Sequence, residues 1–355
     1  MFECQIDATL LDKRKVSLYN MDSNASKERK LSITMYNIGI DLGGTNIAAG
    51  IVDESYSIIK KASTPTNANR SPDEITADIA ALCKKITEEA GLTLEEIHSI
   101  GIATPGTANS HTGEILYANN LPFRNYPMEE KLTEFLGYNR RVYIANDANA
   151  AAKAEAVAGA AKGAKYSVMI TLGTGVGGGI ILDGQVYTGF NHAGAELGHM
   201  VIVKNGRQCT CGRRGCWETY SSATGLIRTT REKLEECRKT GRKTVMEEMI
   251  GGDLERISGR TAFRAMQAGD EVGAEVVDEY ISYLATGLVN IINIFQPNVL
   301  SIGGGISNEG DSLIELLHGR VFAETYTRDD TPQCTLKIAQ LKNDAGIIGA
   351  ASLGL

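Results

Sequence analysis

The chain has 355 residues, of which 43% are hydrophobic, and its formal net charge is −7 at pH 7. This length exceeds that of an ordinary single domain, so we expect one very large domain or two of ordinary size. The acidic balance without a cationic run argues against a nucleic acid or membrane partner, and no apolar segment is long enough to span a bilayer. A small neutral or metal-complexed ligand suits this charge better.

The seven cysteines are unevenly spaced, since three of them fall within eight residues. A secreted disulfide framework uses an even number of regularly distributed cysteines, so this pattern favours a reducing, cytoplasmic environment. Residues 1–34 are mostly polar and contain no signal-peptide hydrophobic core, and we interpret them as a disordered or non-native leader. The folded part is therefore expected to begin near Met35.

The first hairpin is predicted where apolar residues alternate from Asn37 to Leu42 and return from Ile47 to Val52. The glycine-rich turn between these strands exposes amide N–H groups that suit phosphate oxygens. Asp41, just before the turn, is placed to hold a water shell of Mg²⁺. An ordinary tight hairpin accounts for the same residues, and this segment alone favours that simpler interpretation.

A helix is predicted to begin after a cap at Ser71, with Pro72 in its first turn, and to end at Gly91. A buried strand then covers residues 97–103 and leads into a turn that contains Gly106. Strand, helix and strand in this order favour a parallel pair joined by a right-handed crossover. The predicted fold class is therefore α/β.

A short strand over residues 141–145 delivers Asn146 and Asp147 at its carboxyl end, ahead of an alanine-rich helix predicted over residues 148–161. Ligands gather at the carboxyl ends of strands in open α/β sheets, so Asp147 is a candidate functional carboxylate. A helix N-cap explains an aspartate at this position equally well.

A second strand, glycine turn and strand cover residues 167–182. Gly173, Gly175 and Gly178 satisfy the G-x-G-x-x-G pattern, but a dinucleotide site requires a helix after the glycines and a strand is predicted here. We therefore reject a dinucleotide site. The two glycine hairpins instead indicate a weak internal duplication.

The segment from Glu196 to Glu218 contains one histidine and three cysteines, which are His199, Cys209, Cys211 and Cys216. Three thiolates and one imidazole are the donor set of a closed tetrahedral Zn²⁺ site. A histidine alone would ordinarily belong to the core or the surface, but next to this cysteine cluster it is predicted to be a ligand. The flanking carboxylates of Glu196 and Glu218 are not part of this donor set and are available for another function.

Helices are predicted over residues 230–238, 245–257 and 272–295, and the strand at residues 299–302 ends in a triple-glycine turn. The bare backbone at Gly304 would let a flat base lie against the chain. A plain turn from strand to helix explains the same glycines.

The two glycine hairpins, the Asn-Asp junction, the cysteine cluster and the triple-glycine turn occur in an order that resembles the sugar-kinase branch of the actin-like ATPase superfamily. Within that branch the chain resembles the ROK family (repressors, uncharacterised frames and kinases), and specifically its bacterial glucokinases. The resemblance covers residues 35–355. The family pattern D-x-G-G-T matches residues 41–45, E-x-G-H matches residues 196–199, and C-x-C-G-x-x-G-C-x-E matches residues 209–218. The Asn-Asp junction at residues 146–149 and the second phosphate loop at residues 171–175 match as well.

This resemblance implies an actin-like, ribonuclease H-like fold of two α/β domains around a cleft. The implied domains are residues 35–145 with 343–355 and residues 146–342, and the last helix, from Ala345, packs back on the first domain. The implied reaction is ATP-dependent phosphorylation of glucose at the 6-hydroxyl, with ATP and Mg²⁺ as the substrate complex and a structural Zn²⁺. A homodimer or homotetramer is also implied.

The resemblance further implies residue roles, with Asp147 as the general base. The implied sugar-binding residues are Gly106, Asn146, Asp147, Glu196, His199 and Glu218. The implied ATP and phosphate contacts are Asp41, Gly43, Gly44, Thr45, Asn46, Thr171, Gly173, Thr174, Gly175 and Gly304. The implied zinc ligands are His199, Cys209, Cys211 and Cys216, with His199 binding zinc through one ring nitrogen and facing the sugar with the other.

Three alternatives stay open. A sugar-responsive repressor of this family would carry a helix-turn-helix domain ahead of the first hairpin, where the polar leader contains no pair of helices. A kinase for another hexose, such as N-acetylmannosamine, fructose or allose, would share the sugar loop. An actin-like assembly protein would leave the cysteine cluster unexplained.

Overall fold

The computed structural model describes residues 35–118, 120–327 and 331–355, so the predicted leader at residues 1–34 lies outside the described residues. The described strands are β1 (Tyr36–Leu42), β2 (Asn46–Val52), β3 (Ile58–Pro65), β4 (Ile97–Thr104), β5 (Thr107–Asn109), β6 (Glu114–Tyr117), β7 (Arg124–Tyr126), β8 (Val142–Asn146), β9 (Ser167–Leu172), β10 (Val176–Leu182), β11 (Gln185–Val186), β12 (Val299–Gly303) and β13 (Thr335–Ile338).

The described helices are α1 (Pro72–Glu89), α2 (Met128–Leu136), α3 (Asp147–Ala158), α4 (Glu218–Ser221), α5 (Ala223–Thr240), α6 (Val245–Ile250), α7 (Thr261–Gln267), α8 (Glu271–Phe295), α9 (Asp311–Glu324) and α10 (Ala345–Ala351). Short 3₁₀ helices lie at Leu94–Glu96, Leu197–His199, Leu254–Arg256, Gly305–Glu309, Lys342–Asp344 and Ser352–Gly354. Across the described ranges, no helix combines the length and apolar character needed to cross a bilayer.

Most of the described strands belong to two five-stranded sheets with the same connectivity. The first sheet has the order β3-β2-β1-β4-β8 and the second has the order β11-β10-β9-β12-β13. In both, the first three strands pair antiparallel and the last three pair parallel. The repeated order confirms the internal duplication and the α/β class. A small antiparallel sheet contains β5, β6 and β7.

Each large sheet has its own hydrophobic core. Ile40 and Ile102 belong to the core of the first sheet, whereas Ile170 and Leu288 belong to that of the second. As predicted, α10 begins at Ala345, and it packs against β1 and β4 of the first sheet. The core positions follow the apolar alternation of the strands, because successive side chains in a strand point to opposite faces.

Local signals account for the predicted first helix. The Ser71 hydroxyl accepts from the Glu74 amide at 3.3 Å, and the Glu74 carboxylate accepts from the Ser71 amide at 2.9 Å. This reciprocal pair satisfies two amides that the first turn of α1 leaves without helical partners. The helix therefore begins where the sequence predicts.

Several predicted helix boundaries are wrong. The helix expected over residues 148–161 is α3, which ends at Ala158 because Gly159 leaves the helical conformation. The helix expected over residues 230–238 is part of α5, which begins earlier because the Ser222 hydroxyl accepts from the Gly225 amide at 2.9 Å.

The helix expected over residues 245–257 breaks in the middle. It ends at Ile250 because Gly251 adopts a φ of 60°, and a short 3₁₀ helix follows. The sequence analysis also missed β3, the small sheet, α2, α7 and α9. Of these, β3 alternates between less and more exposed residues, a pattern that its lysine and threonine residues obscure.

Candidate active site

A cavity of about 930 Å³ lies where the parallel strands of both sheets end. Asp41 of β1 and Asn146 of β8 line it from the first sheet, and Thr171 of β9 and Gly303 of β12 line it from the second. Carboxyl ends of strands in α/β sheets leave backbone and side chains free to meet a ligand. The cavity is therefore the candidate active site.

The junction of β8 and α3 positions Asp147. The Asn146 side-chain oxygen accepts from the amides of Ala148 at 2.9 Å and Asn149 at 3.3 Å, and its amide group donates to the Gly106 carbonyl at 3.0 Å. Asn146 is thus the N-cap, and the interpretation of Asp147 as the cap is wrong. Asp147 is the first residue of α3, and its carboxylate lines the cavity.

Two carboxylates interact electrostatically in this cavity. Burial among the residues around the cavity raises the pKa of the Asp147 carboxyl, although the residue keeps solvent-accessible surface. The pKa of Asp41 is raised to about 6, first by burial and then by the negative charge of Asp147. A raised pKa makes each carboxylate a stronger base. The negative charges of the two carboxylates together favour a cation between them.

Glu218 and Gly175 fit together at another wall of the cavity. The Glu218 Oε2 accepts from the Val176 amide at 3.0 Å. A Cβ added at Gly175 would lie 2.3 Å from that same oxygen, so only glycine leaves room for the carboxylate. The second glycine hairpin therefore holds Glu218 in place in addition to lining the cavity.

The histidine and cysteines of the predicted zinc motif come together in space. Ligand atoms of the four residues all lie within 4.8 Å of one another. Cys209 Sγ is 3.6 Å from His199 Nδ1, and Cys211 Sγ is 3.7 Å from Cys216 Sγ. Tetrahedral zinc with ordinary bond lengths separates its nitrogen and sulfur ligands by about 3.6 Å and its sulfur ligands by about 3.8 Å. These two distances fit this ion.

The cysteines of the described ranges are free thiols, among them Cys83 and Cys237 outside the cluster. His199 lines the cavity as well as belonging to the cluster. With Nδ1 directed to Cys209, the ring leaves Nε2 as its second polar atom. The cluster and the cavity therefore share one side chain.

Trp217 anchors the cluster to the core of the second sheet. Its side chain is fully buried and its indole N–H donates to the Tyr283 carbonyl at 3.0 Å. A Cβ added at Gly287 of α8 would lie 2.0 Å from the indole ring. A rigid, close-packed tryptophan between Cys216 and Glu218 holds both at a fixed distance from α8.

The sequence model of the ROK family matches residues 37–355. The chain belongs to the ROK family. A glucokinase from Thermotoga maritima is 34% identical over 324 residues, which cover 89% of this chain and 96% of that protein. The crystal structure of a ROK family glucokinase from Streptomyces griseus, in complex with glucose and AMPPNP, has a TM-score of 0.71 at 31% identity and covers 90% of this chain and 98% of that one.

Not all ROK relatives are kinases by name. A putative xylose repressor from Caldicellulosiruptor is 28% identical over 319 residues, which cover 89% of this chain and 77% of that protein. Family membership therefore fixes the fold and the shared loops, and it leaves the choice between catalysis and regulation to the site itself.

The cavity of this ROK protein brings together most of the predicted site residues. Those that line it are Asp41, Gly106, Asn146, Asp147, Thr171, Gly173, Gly175, Glu196, His199, Glu218 and Gly304. Gly43, Gly44, Thr45, Asn46 and Thr174 are not among its lining residues. The first turn is instead tied to Thr66, whose amide donates to the Thr45 carbonyl at 2.8 Å and whose hydroxyl donates to the Gly43 carbonyl at 2.6 Å.

Other lining residues escaped the sequence analysis. Ser307 and Asn308 follow the triple-glycine turn, Lys342 and Asn343 lie between β13 and α10, and Gly346 belongs to the first turn of α10. The Gly303–Gly305 segment is both a turn from strand to helix and a cavity wall, so the two interpretations of these glycines are compatible. A Lys-Asn pair after a short strand carries no motif, and only the fold brings it to the cavity.

Proposed function

We propose that this ROK protein is an ATP-dependent kinase that phosphorylates glucose at its 6-hydroxyl. The observation that carries the proposal is the meeting of the Asp147 carboxylate with Glu196, His199 and Glu218 in one cavity that the second glycine hairpin and the triple-glycine turn also line. A hydroxyl is a poor nucleophile, and a sugar has many hydrogen-bonding groups. A single carboxylate near a set of polar side chains meets both requirements.

In the proposed reaction Asp147 accepts the proton of the 6-hydroxyl while the hydroxyl oxygen attacks the γ-phosphorus of ATP. The bond from that phosphorus to the β,γ-bridging oxygen breaks, and ADP leaves. General base catalysis of this kind contributes roughly 10²–10⁴ in rate. The raised pKa of Asp147 supports this role, because a more basic carboxylate accepts the hydroxyl proton more readily.

The sugar is proposed to lie against Gly106, Asn146, Glu196, His199 and Glu218. Asn146 is held by its bonds to α3 and to the Gly106 carbonyl, and Glu218 by the Val176 amide. Groups fixed in this way lose little freedom when a ligand binds, so they can distinguish one arrangement of hydroxyls from another.

The phosphates are proposed to lie along the glycine turns. Phosphoryl transfer depends on positioning and on neutralising charge, and the Mg²⁺ that accompanies ATP supplies positive charge to the phosphate oxygens. Asp41 would hold the water shell of this ion. The proposed backbone contacts come from Gly43, Gly44, Thr45, Asn46, Thr171, Gly173, Thr174, Gly175 and Gly304.

We also propose a structural Zn²⁺ bound by His199, Cys209, Cys211 and Cys216. A four-ligand site of this kind leaves no open position for substrate, and the ion would order the loop between Glu196 and Glu218. The three cysteines do not line the cavity, which supports a role in structure. Zinc then acts on sugar binding through the placement of His199 and Glu218.

At a larger scale, we propose two domains, residues 35–145 with 343–355 and residues 146–342, that close on the sugar. The separate cores of the two large sheets support this division. A homodimer or homotetramer is part of the same proposal, and light scattering from the purified chain measures it directly.

One assay tests the proposed function. The purified chain is given MgATP with glucose, fructose, allose, N-acetylmannosamine or N-acetylglucosamine, and ADP release is measured. We expect the highest kcat/KM with glucose. A higher kcat/KM with another hexose would replace glucose as the substrate and leave the kinase assignment intact. Sugar binding without ADP release from any sugar would contradict catalysis and favour a regulator.

A further inference from the structure

The charges that line the cavity are unbalanced. Four carboxylates line it, those of Asp41, Asp147, Glu196 and Glu218. Among the described residues that line it, Lys342 is the single lysine or arginine. If the proposed function holds, this acidic cavity must accept the polyphosphate of ATP, and like charges repel it.

Lys342 has an ammonium group without a partner among the described residues. Its side chain forms no ion pair or hydrogen bond with any residue in the described ranges. The carboxylate two positions along the chain, Asp344, is instead paired with Lys61 at 2.8 Å. A lysine at this wall of the cavity, with no partner among the described residues, has three N–H donors available to a ligand.

The backbone at Lys342 is unusual as well. Its φ is 48°, in the left-handed region that non-glycine residues rarely adopt. Glycine would relieve this strain, so the lysine side chain is present at a conformational cost. Strained backbone at a cavity wall is the kind of feature from which a functional role is inferred.

A buried carboxylate fixes this segment. Glu155 of α3 is fully buried, and its Oε1 accepts from the amides of Gln340 and Leu341, each at 2.8 Å. These bonds hold the two residues directly before Lys342. Just upstream, the Ala339 amide donates to the Ile302 carbonyl of β12 at 2.9 Å. The backbone position of Lys342 is therefore set by the protein itself, without a ligand.

The same segment lies beside the residues proposed to meet the phosphates. A Cβ added at Gly303 would lie 3.3 Å from the Ala339 side chain, which places the segment next to the triple-glycine turn. On its other side, a Cβ added at Gly346 would lie 2.4 Å from Asp41 Oδ2. Lys342 thus belongs to the stretch that joins the glycine turn to Asp41.

We propose that Lys342 binds the phosphate chain of the nucleotide and sets the affinity of this protein for ATP. The inference rests on the proposed function and adds a residue to it. The ammonium group would donate charge-assisted hydrogen bonds to phosphate oxygens and offset the charge of the four carboxylates. The side chain has no part in proton transfer from the sugar.

The test compares four variants by calorimetric binding of MgATP without sugar. Lys342→Gln removes the charge at similar length, Lys342→Arg keeps it, and Lys342→Gly removes it while relieving the backbone. Lys165→Gln is the matched control, because Lys165 is exposed, pairs with Asp183 and does not line the cavity. Lys342→Gln and Lys342→Gly should each weaken MgATP binding by about tenfold.

Three further results separate a phosphate contact from a structural role. The difference in MgATP affinity between the wild type and Lys342→Gln should shrink as salt is raised from about 0.05 M to about 0.5 M. Salt screens the attraction between the Lys342 ammonium group and the phosphates in the wild type. Lys342→Gly should lose affinity while its Tm rises. Lys342→Arg and Lys165→Gln should bind MgATP as the wild type does, and the KM for sugar at saturating MgATP should be unchanged in all four.

Equal MgATP affinity in the wild type and Lys342→Gln would overturn the inference, as would an equal loss in Lys165→Gln. A wild-type chain that binds MgATP but phosphorylates no sugar would contradict the proposed function, and the same binding comparison would still decide the role of Lys342. A wild-type chain that does not bind MgATP would overturn both.

Discussion

At the scale of single residues, the chemistry proposed for this cavity depends mainly on Asp41 and Asp147. Neither is paired with a basic side chain in the described ranges, and each carboxyl has a raised pKa. Carboxylates held in this way are costly for the fold and useful for a site that binds a cation and removes a proton. Their substitutions therefore separate function from stability.

Asp147→Asn should reduce kcat by roughly 10²-fold or more while leaving sugar affinity close to that of the wild type, because the amide fills the same space and cannot accept the hydroxyl proton. Steady-state kinetics and direct sugar binding measure the two effects. Asn146→Asp serves as a comparison, since it keeps an acceptor for the first turn of α3 and loses the bond to the Gly106 carbonyl. A near-normal kcat in Asp147→Asn would remove Asp147 from the mechanism.

Asp41→Asn should stabilise the protein in the absence of Mg²⁺ and nucleotide, with the effect set by pH. The folded pKa of about 6 lies above the ordinary value of 3.8, so the carboxyl favours folding below about pH 4 and loses that contribution as pH rises through 6. The free energy of unfolding of the variant should equal that of the wild type at pH 4 and exceed it by up to about 3 kcal/mol at pH 8. Urea unfolding across this range measures the difference.

Asp53→Asn is the matched control for this experiment. Burial acts to raise the pKa of Asp53, but hydrogen bonds from Ser55 and Ser57 outweigh it and leave the pKa lowered. The charged form of Asp53 is therefore the favoured one in the folded protein, and its removal should lower stability at neutral pH. An increase in unfolding free energy in both variants would mean that the change in net charge, and not the surroundings of Asp41 in the cavity, determines the stability.

At the scale of elements, the loop from Glu196 to Glu218 joins the metal cluster to the cavity. His199 belongs to both, Trp217 fixes the loop to α8, and Glu218 is held by the second glycine hairpin. A disturbance of the metal or of the hairpin should reach the sugar through these two side chains. Under the proposed function, loss of the metal should therefore weaken sugar binding and leave nucleotide binding unchanged.

Metal analysis of the freshly purified chain should find about one Zn²⁺ per chain, the content of a four-ligand site. Cys211→Ser should lose this zinc, lower the Tm and raise the KM for sugar, because Cys211 is exposed and its loss affects the metal without emptying the core. Cys237→Ala should keep its zinc, since this thiol lies outside the cluster. A kcat that follows the identity of the divalent ion in the site would instead indicate a catalytic metal.

Gly175→Ala should raise the KM for sugar by about tenfold or more, because the new methyl group would displace the Glu218 carboxylate. Gly173→Ala is the matched control, since a Cβ at Gly173 meets no protein atom within 4 Å. Both are assayed at saturating MgATP, so that any effect on phosphate binding is removed. Equal sugar KM values in the two variants would show that Glu218 does not hold the sugar.

At the scale of the whole molecule, α10 joins elements that are distant along the chain. It packs against β1, β4 and α3, and the approach is so close that Gly39, Gly101 and Gly349 each leave no space for a side chain. The segment directly before it carries Lys342, and Gly346 in its first turn borders Asp41. The terminal helix therefore positions part of the cavity as well as covering the first sheet.

Gly101→Ala should destabilise the protein by more than about 2 kcal/mol, because its Cβ would lie 1.9 Å from the Ala350 carbonyl oxygen. Gly319→Ala, in the open interior of α9, should instead stabilise it by roughly 0.5–1 kcal/mol, the difference in helix propensity. Chemical denaturation of both variants measures the two changes in unfolding free energy. Similar unfolding free energies in the two would mean that α10 is not held as closely as the structure shows.

The local signals of the sequence determined the α/β class, the two glycine hairpins, the cap of α1 and the donor set of the metal cluster. Each depends on residues only a few positions apart, such as Ser71 with Glu74, and the family they indicate is confirmed. The predicted helix ends at residues 161 and 257 were wrong: the helices end at Ala158 and Ile250, because the single glycines that follow them override a longer periodic pattern. Their backbone conformation is set by surroundings that periodicity does not describe.

The tertiary structure alone decided which residues meet in the cavity. Asn146 rather than Asp147 caps α3, and Gly175 makes room for Glu218. Lys342 lines the cavity directly after two residues whose amides donate to the Glu155 carboxylate. The contacts of Gly175 with Glu218 and of Glu155 with Leu341 join atoms that lie far apart in the chain and close together in space. Their contact energy exists only after both sheets and α10 have packed, so no pattern of neighbouring residues records it.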